Sequence, residues 1–230
     1  MARLFVHVEG ETEETFVNQI LRPHLLNAGY HGVSAKLLGN ARARTHRGGI
    51  RNWPSVRDDI LRHLRSDHEI FSTVMVDYYA LPRDGGHAWP GRDAAANLSS
   101  QEKGRLVEAA ILADIADRMG VTPEVCRFIP YVMMYEFEAL LFSNCQAFAD
   151  GIGMSYLGPQ LAEILSAFES PEDINDSPLT APSKRVTTLI PNYQKPLFGN
   201  VAAHSIGLDS MRSECKNFSD WLSRLEQRVT

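Results

Sequence analysis

The sequence predicts an α/β fold, a mostly parallel sheet flanked by helices with a helical C-terminal extension, and three observations predict it. Short apolar, β-branched runs alternate with helix-period segments from residue 4 to about residue 142. The strongest run, Ile70-Phe71-Ser72-Thr73-Val74-Met75-Val76, is nearly continuous in apolar residues, as strands covered on both faces are. Beyond residue 150 only helical periodicity is left. Alternation of strand and helix implies right-handed crossovers and hence parallel pairing. The expected division is an α/β core over 1–150 and a helical extension over 151–230, packed on that core.

The elements follow in order. Leu4-Phe5-Val6-His7-Val8 reads as a buried strand that stops at Glu9-Gly10. A helix is expected from Thr12 as N-cap, with Glu13 and Glu14 in the first turn, where the helix dipole favours anions. Phe16, Ile20, Leu21 and Leu25 supply its apolar stripe, and Pro23 should kink or end it. Val33 to Leu38 is a second strand. Asn52-Trp53-Pro54 resembles a helix start, with Val56, Ile60 and Leu64 on one face. After the Ile70–Val76 strand, which ends at Asp77, residues 80 to 98 carry Pro82, Gly85, Gly86, Pro90 and Gly91 and read as a loop insertion. Ser99 to Glu102 looks like a capping box opening a helix to Met119, closed by Gly120. Arg127 to Met134 is another strand, running into the helix-forming Glu138-Ala139-Leu140-Leu141. Leu208, Met211, Cys215, Phe218, Leu222 and Leu225 form the stripe of an amphipathic helix, in which Cys215 is a small core residue.

Composition bounds the function. The chain has 230 residues, 44% of them hydrophobic and 22% charged, which suits a globular fold and excludes disorder. A net charge of −5 excludes a protein that coats nucleic acid through bulk basicity. Cys126, Cys145 and Cys215 form no C-x-x-C pair, so neither a disulfide framework nor a thiolate zinc site is expected, and a reducing cytoplasm fits. No apolar run reaches signal-peptide or membrane-spanning length, so the protein is expected to be neither exported nor embedded. Charge is unevenly placed: Lys36 to Asp67 carries eight Lys/Arg against three Asp, whereas Asn144 to Asp176 carries six acids and no Lys or Arg.

Ligands of a parallel α/β sheet bind beyond the C-terminal ends of its strands, and three predicted strands end in acid. The first delivers Glu9, with Glu13 about a turn later; the third delivers Asp77; the fourth delivers Glu136 and Glu138. Converging carboxylates repel one another and are costly to desolvate, so such a cluster points to a divalent cation, Mg²⁺ or Mn²⁺. Oxygen ligands without His or Cys disfavour zinc. Metal-assisted phosphate chemistry is the matching activity. Lys184, Arg185 and Lys195 are candidates to hold a phosphate, with Lys184 placed at the reacting centre. Arg42, Arg44, Arg47 and Arg51, near Trp53, are candidates to bind a nucleic-acid backbone. No P-loop, dinucleotide fingerprint or nucleophile elbow is present in the sequence.

Val8-Glu9-Gly10-Glu11-Thr12-Glu13-Glu14-Thr15-Phe16 resembles the V-E-G-x-T-E-x-x-F signature of the Toprim domain in overcoming-lysogenization-defect (OLD) family nucleases. With Val76 to Pro82, Tyr135 to Phe142, Ser183-Lys184-Arg185 and Cys215 to Trp221, the chain is similar over nearly its whole length to a bacterial family of uncharacterised Toprim-like proteins. These are often encoded beside an ABC/SMC-type ATPase in defence loci. The resemblance implies a Toprim-like core, a Mg²⁺-dependent nuclease with Glu9, Glu13 and Asp77 at its metal site, and an antiphage role beside a separate ATPase. It departs from the pattern at Tyr79, which stands where D-x-D has its second Asp, so Glu136 or Glu138 is the candidate replacement. DNA versus RNA, one metal or two, and a homo-oligomer all stay open. A degenerate, non-catalytic subunit that regulates the ATPase and a small-molecule phosphoryl transferase are the alternatives.

Overall fold

The computed structural model describes residues 1–38, 52–174, 177 and 179–229. In chain order its elements are β1 (Arg3–Val8), α1 (Glu11–Phe16), a π-helical turn (Val17–Leu21), α2 (Arg22–Ala28), β2 (Gly32–Leu37), α3 (Trp53–Ser66), β3 (Ile70–Asp77), α4 (Ser100–Met119) and β4 (Tyr131–Met133). The chain continues through α5 (Glu138–Leu141), α6 (Cys145–Gly151), α7 (Gly158–Leu165), α8 (Pro182–Leu189), α9 (Asn200–Glu214) and α10 (Lys216–Glu226). The four strands form one parallel sheet in the order β2-β1-β3-β4. Val8 lies opposite both Leu37 and Met75, and Asp77 opposite Met133, so every strand delivers its carboxyl end to the same sheet edge.

Period-two alternation buries the two sheet faces separately. Leu4, Val6 and Val8 pack with Phe16, Leu21 and Leu25 and with Trp221, Leu222 and Leu225 of the last helix. Val74 and Val76 pack with Val56, Ile60 and Leu64 of α3 and with Val107, Ile111 and Ile115 of α4. His7 lies in the sheet interior, its Nε2 3.0 Å from Ser72 Oγ and its ring 5.3 Å from that of His63. No helix among the described residues is long and apolar enough to cross a membrane.

Several local expectations are corrected. The first helix is capped at Gly10, not Thr12, and its α-helical run is interrupted by a π turn just before Pro23. The π turn before α2 loosens the helical ladder, and Pro23 falls in the first turn of α2, where its missing N–H goes unnoticed. The fourth strand is Tyr131–Met133, with a single bridge between Ser72 and Phe128 marking its approach. Residues 80 to 98 are a loop, as expected, exposed over 83–87 but anchored beyond it: Trp89 is buried against Trp53, and Arg92 stacks 3.8 Å from the Tyr78 ring while its Nε donates to the Tyr78 carbonyl. The capping box at Ser99 and Glu102 and the left-handed Gly120 stand as expected.

The predicted last helix is two helices. Gly207 has φ 76° inside α9, and Cys215 leaves helical geometry between α9 and α10. Glu172 is the reason the second can start there, because its buried carboxylate accepts the Asn217 and Phe218 N–H groups at 2.8 and 3.1 Å. From this start, α10 lays Trp221 flat on Tyr131 at 4.6 Å, and Trp221 Nε1 donates to Thr73 Oγ1. Glu172→Ala, which strips two buried N–H groups of their acceptor, is expected to cost about 2–4 kcal/mol, read as a lowered urea midpoint. An unchanged midpoint would show that α10 needs no cap.

Candidate functional site

The site forms where β1, β3 and the segment after β4 end. Glu9 follows β1, and its Oε1 accepts the Asp77 backbone N–H at 2.6 Å, tying the two central strand ends together. Gly10 then adopts an extended backbone and the Glu13 carboxylate folds back to accept its N–H at 3.1 Å. The approach is close: a Cβ on residue 10 would stand 3.2 Å from Glu13 Oε2, so the carboxylate would have to give by a few tenths of an ångström. Asp77 closes β3 with Oδ1 buried and without a hydrogen-bond partner.

After β4 the chain turns through Tyr135, whose φ of 59° is the one positive value at a non-glycine among the described residues. Its carbonyl accepts the Tyr79 N–H and its ring packs 5.1 Å from that of Tyr79, so the β3 and β4 ends are joined beside the acids. The turn separates the two candidate glutamates. Glu136 accepts the Ser183 N–H at 2.9 Å and so anchors the first turn of α8. Glu138 begins α5 fully buried, its Oε2 paired with Lys195 Nζ at 3.0 Å and its Oε1 without a partner.

The carboxyls share one electrostatic environment. Burial, and then the charge of Glu13, lift Glu9 to about 8 against the favourable Asp77 N–H. Asp77 is pushed well up by burial and by the charges of Glu9, Glu13 and Glu138. Burial raises Glu13 and Glu138 too, with Lys195 opposing the rise in both. For Lys195 itself burial works to remove the proton, and the carboxylates of Glu138, Glu136 and Asp77 outweigh it, so the ammonium persists. Burial first, and then neighbouring charges, make these acids costly to ionise, and oxygen donors gathered in this way are of the kind a divalent cation would satisfy. Among the described residues no group of three or more His, Cys, Asp or Glu side chains is placed as it stands to hold a metal ion.

The structure thus gathers Glu9, Glu13, Asp77 and Glu138 with Lys195, and holds Glu136 at their margin. Lys184 is exposed on α8. Arg185 is turned to its own neighbourhood, donating to the Thr180 carbonyl at 2.9 Å and lying 5.1 Å from the Phe168 ring. Arg42, Arg44, Arg47 and Arg51 lie outside the described residues. The position of Lys195 as counter-ion is what sequence reasoning missed, since 57 residues separate it from Glu138 and no spacing relates them. Tyr193 was also missed: its hydroxyl is buried without a partner, and burial and the Glu138 charge hold its proton on.

Comparison with known proteins gives a family. No curated protein matches the chain. A solved structure of the C-terminal region of the Xanthomonas campestris pv. campestris OLD protein is similar at 14% identity and a TM-score of 0.45, over 100% of this chain and 96% of that one. Residues 8–226 match the family described as a domain of unknown function, DUF4276, and with almost its whole length matched the chain belongs to that family.

Proposed function

We propose that the chain is a metal-dependent phosphodiesterase of the Toprim type acting on nucleic acid, the effector half of a cytoplasmic antiphage system whose ATPase is a separate chain. The observation that carries the chemistry is the pair of buried, unpartnered carboxyl oxygens, Asp77 Oδ1 and Glu138 Oε1, beside Glu9 at one sheet edge. A buried acceptor without a donor is costly, and a cation is what such oxygens lack. Glu9, Asp77 and Glu138 would hold Mg²⁺ or Mn²⁺, with Glu13 and Glu136 beside them. A bound ion would supply charge stabilisation for a phosphoryl oxygen and a nucleophilic water at neutral pH. The chain's own part is to orient the acids through the Asp77 and Gly10 N–H groups, and to offer the Lys195 ammonium as a positive charge near a phosphate. The defence role and the ATPase partner rest on the signature resemblance.

A non-catalytic regulatory subunit is the second reading, favoured by Tyr79 at the second acidic position of D-x-D. One experiment separates the two. Purified protein with Mn²⁺, alone and with its neighbouring ATPase, is expected to nick DNA or cut RNA, and Glu9→Ala to abolish this with an unchanged circular dichroism spectrum. Cleavage that survives Glu9→Ala would remove the site assignment, and toxicity without cleavage of any nucleic acid would establish the regulatory reading.

A further inference from the structure

The cluster has a cation of its own. Lys195 opens a π-helical turn, Lys195–Gly199, that crosses above α1: a Cβ on Gly199 would meet Thr12 Cγ2 at 3.5 Å and Phe137 at 3.6 Å. From this turn Nζ reaches down to Glu138, leaving 45% of the lysine side chain exposed while the glutamate side chain is 1% exposed. The ammonium therefore sits between solvent and the buried acids. Among the described residues Glu138 has no other cationic partner, and Arg185 is engaged elsewhere.

We infer that Lys195 is the resident counter-ion of the site: its ammonium occupies the cation position against Glu138, and a divalent metal binds by displacing it toward solvent. The inference rests on the metal-site reading above and adds how that site is loaded. Three features support it. Glu138 has one oxygen bonded to the ammonium and the other vacant, so a metal could not take both while Lys195 stays. The charge of Lys195 also acts on Glu9, Glu13 and Asp77, so one ammonium partly neutralises every acid the metal would use. Nearly half of the side chain is exposed, and its four-carbon stem lets the charge swing away without moving the backbone.

The consequence is an affinity that rises when a positive charge is lost. Mn²⁺ binding is measured by electron paramagnetic resonance on the wild type, Lys195→Met, Lys195→Arg and Asp77→Asn, at about pH 8.5 so that protons compete little for the carboxylates. Lys195→Met, which keeps the apolar stem, is expected to bind Mn²⁺ at least about tenfold more tightly than the wild type, the scale of one charge-assisted hydrogen bond. Lys195→Arg keeps the competing charge and is expected to stay near the wild-type affinity, and Asp77→Asn to bind weakly. Equal or weaker binding by Lys195→Met, with binding still lost in Asp77→Asn, overturns the counter-ion and leaves the metal site standing. Binding that is absent throughout, or indifferent to Asp77→Asn, removes both.

Discussion

Asp77→Asn is expected to lower metal-dependent cleavage by more than the ~100-fold that loss of an outer-shell partner costs a metal site, and also to make the metal-free protein more stable. The two effects have one cause. Asp77 stands within the field of Glu9, Glu13 and Glu138, with Oδ1 buried and unsatisfied. An ion needs that charge; the fold does not. Asparagine keeps the shape, removes the repulsion and supplies two N–H donors to acids that have few. Its backbone N–H, which orients Glu9, is unchanged. Removing one crowded charge is worth about 1–2 kcal/mol, or ~2–8 °C of melting temperature for a domain of this size, measured in chelator at pH 8. A variant that is both inactive and destabilised would mean that Asp77 is a structural residue and its neighbours are not a functional cluster.

Much of this site could be foreseen, for reasons that are local. Glu9 and Asp77 are legible because each ends a strand whose apolar pattern is strong, and parallel pairing then forces both to one edge. Glu13 is legible from its distance to Gly10 along one helical turn. What was not legible depends on turns and on distant partners. Whether Glu136 or Glu138 faces the acids is decided by the left-handed Tyr135, a conformation that tyrosine does not advertise, and by Ser183, which takes up Glu136 from 47 residues away. Lys184 carries the better motif and Lys195 the closer position, because the former lies on the outer side of α8 and the latter on a turn above α1. The break at Cys215 escaped notice because its apolar spacing is continuous through it; the capping acid, Glu172, comes from another segment.

The same carboxyls set the pH dependence of folding, and the expected direction is opposite to that of a protein held by salt bridges. Glu9 ionises at about 8 when folded and near 4.5 when unfolded, and Asp77, Glu13 and Glu138 are raised too, so the folded state holds the extra protons. Stability from these groups is present below the unfolded value and is lost as pH rises through the folded one. His7 acts the other way. Burial, with His63 and Lys36 nearby, lowers it to about 3 from 6.5, so its contribution is lost as pH falls below 6.5. Between pH 6.5 and 8 the carboxyls therefore act with little opposition from His7. In chelator, the urea midpoint is expected to fall across that window by an amount equivalent to about 1–2 kcal/mol for Glu9 alone. Saturating Mn²⁺ replaces the lost protons and should flatten the fall, since a ligand that binds only the native state adds stability in proportion to its affinity. Glu9→Gln should make it shallower without metal, leaving the share of the other raised carboxyls, among them Glu172 at about 7. A midpoint that rises from pH 6.5 to 8 in chelator, or that Mn²⁺ leaves unchanged, would show that these acids are not crowded in the folded chain, and the proposed metal site would lose its physical basis.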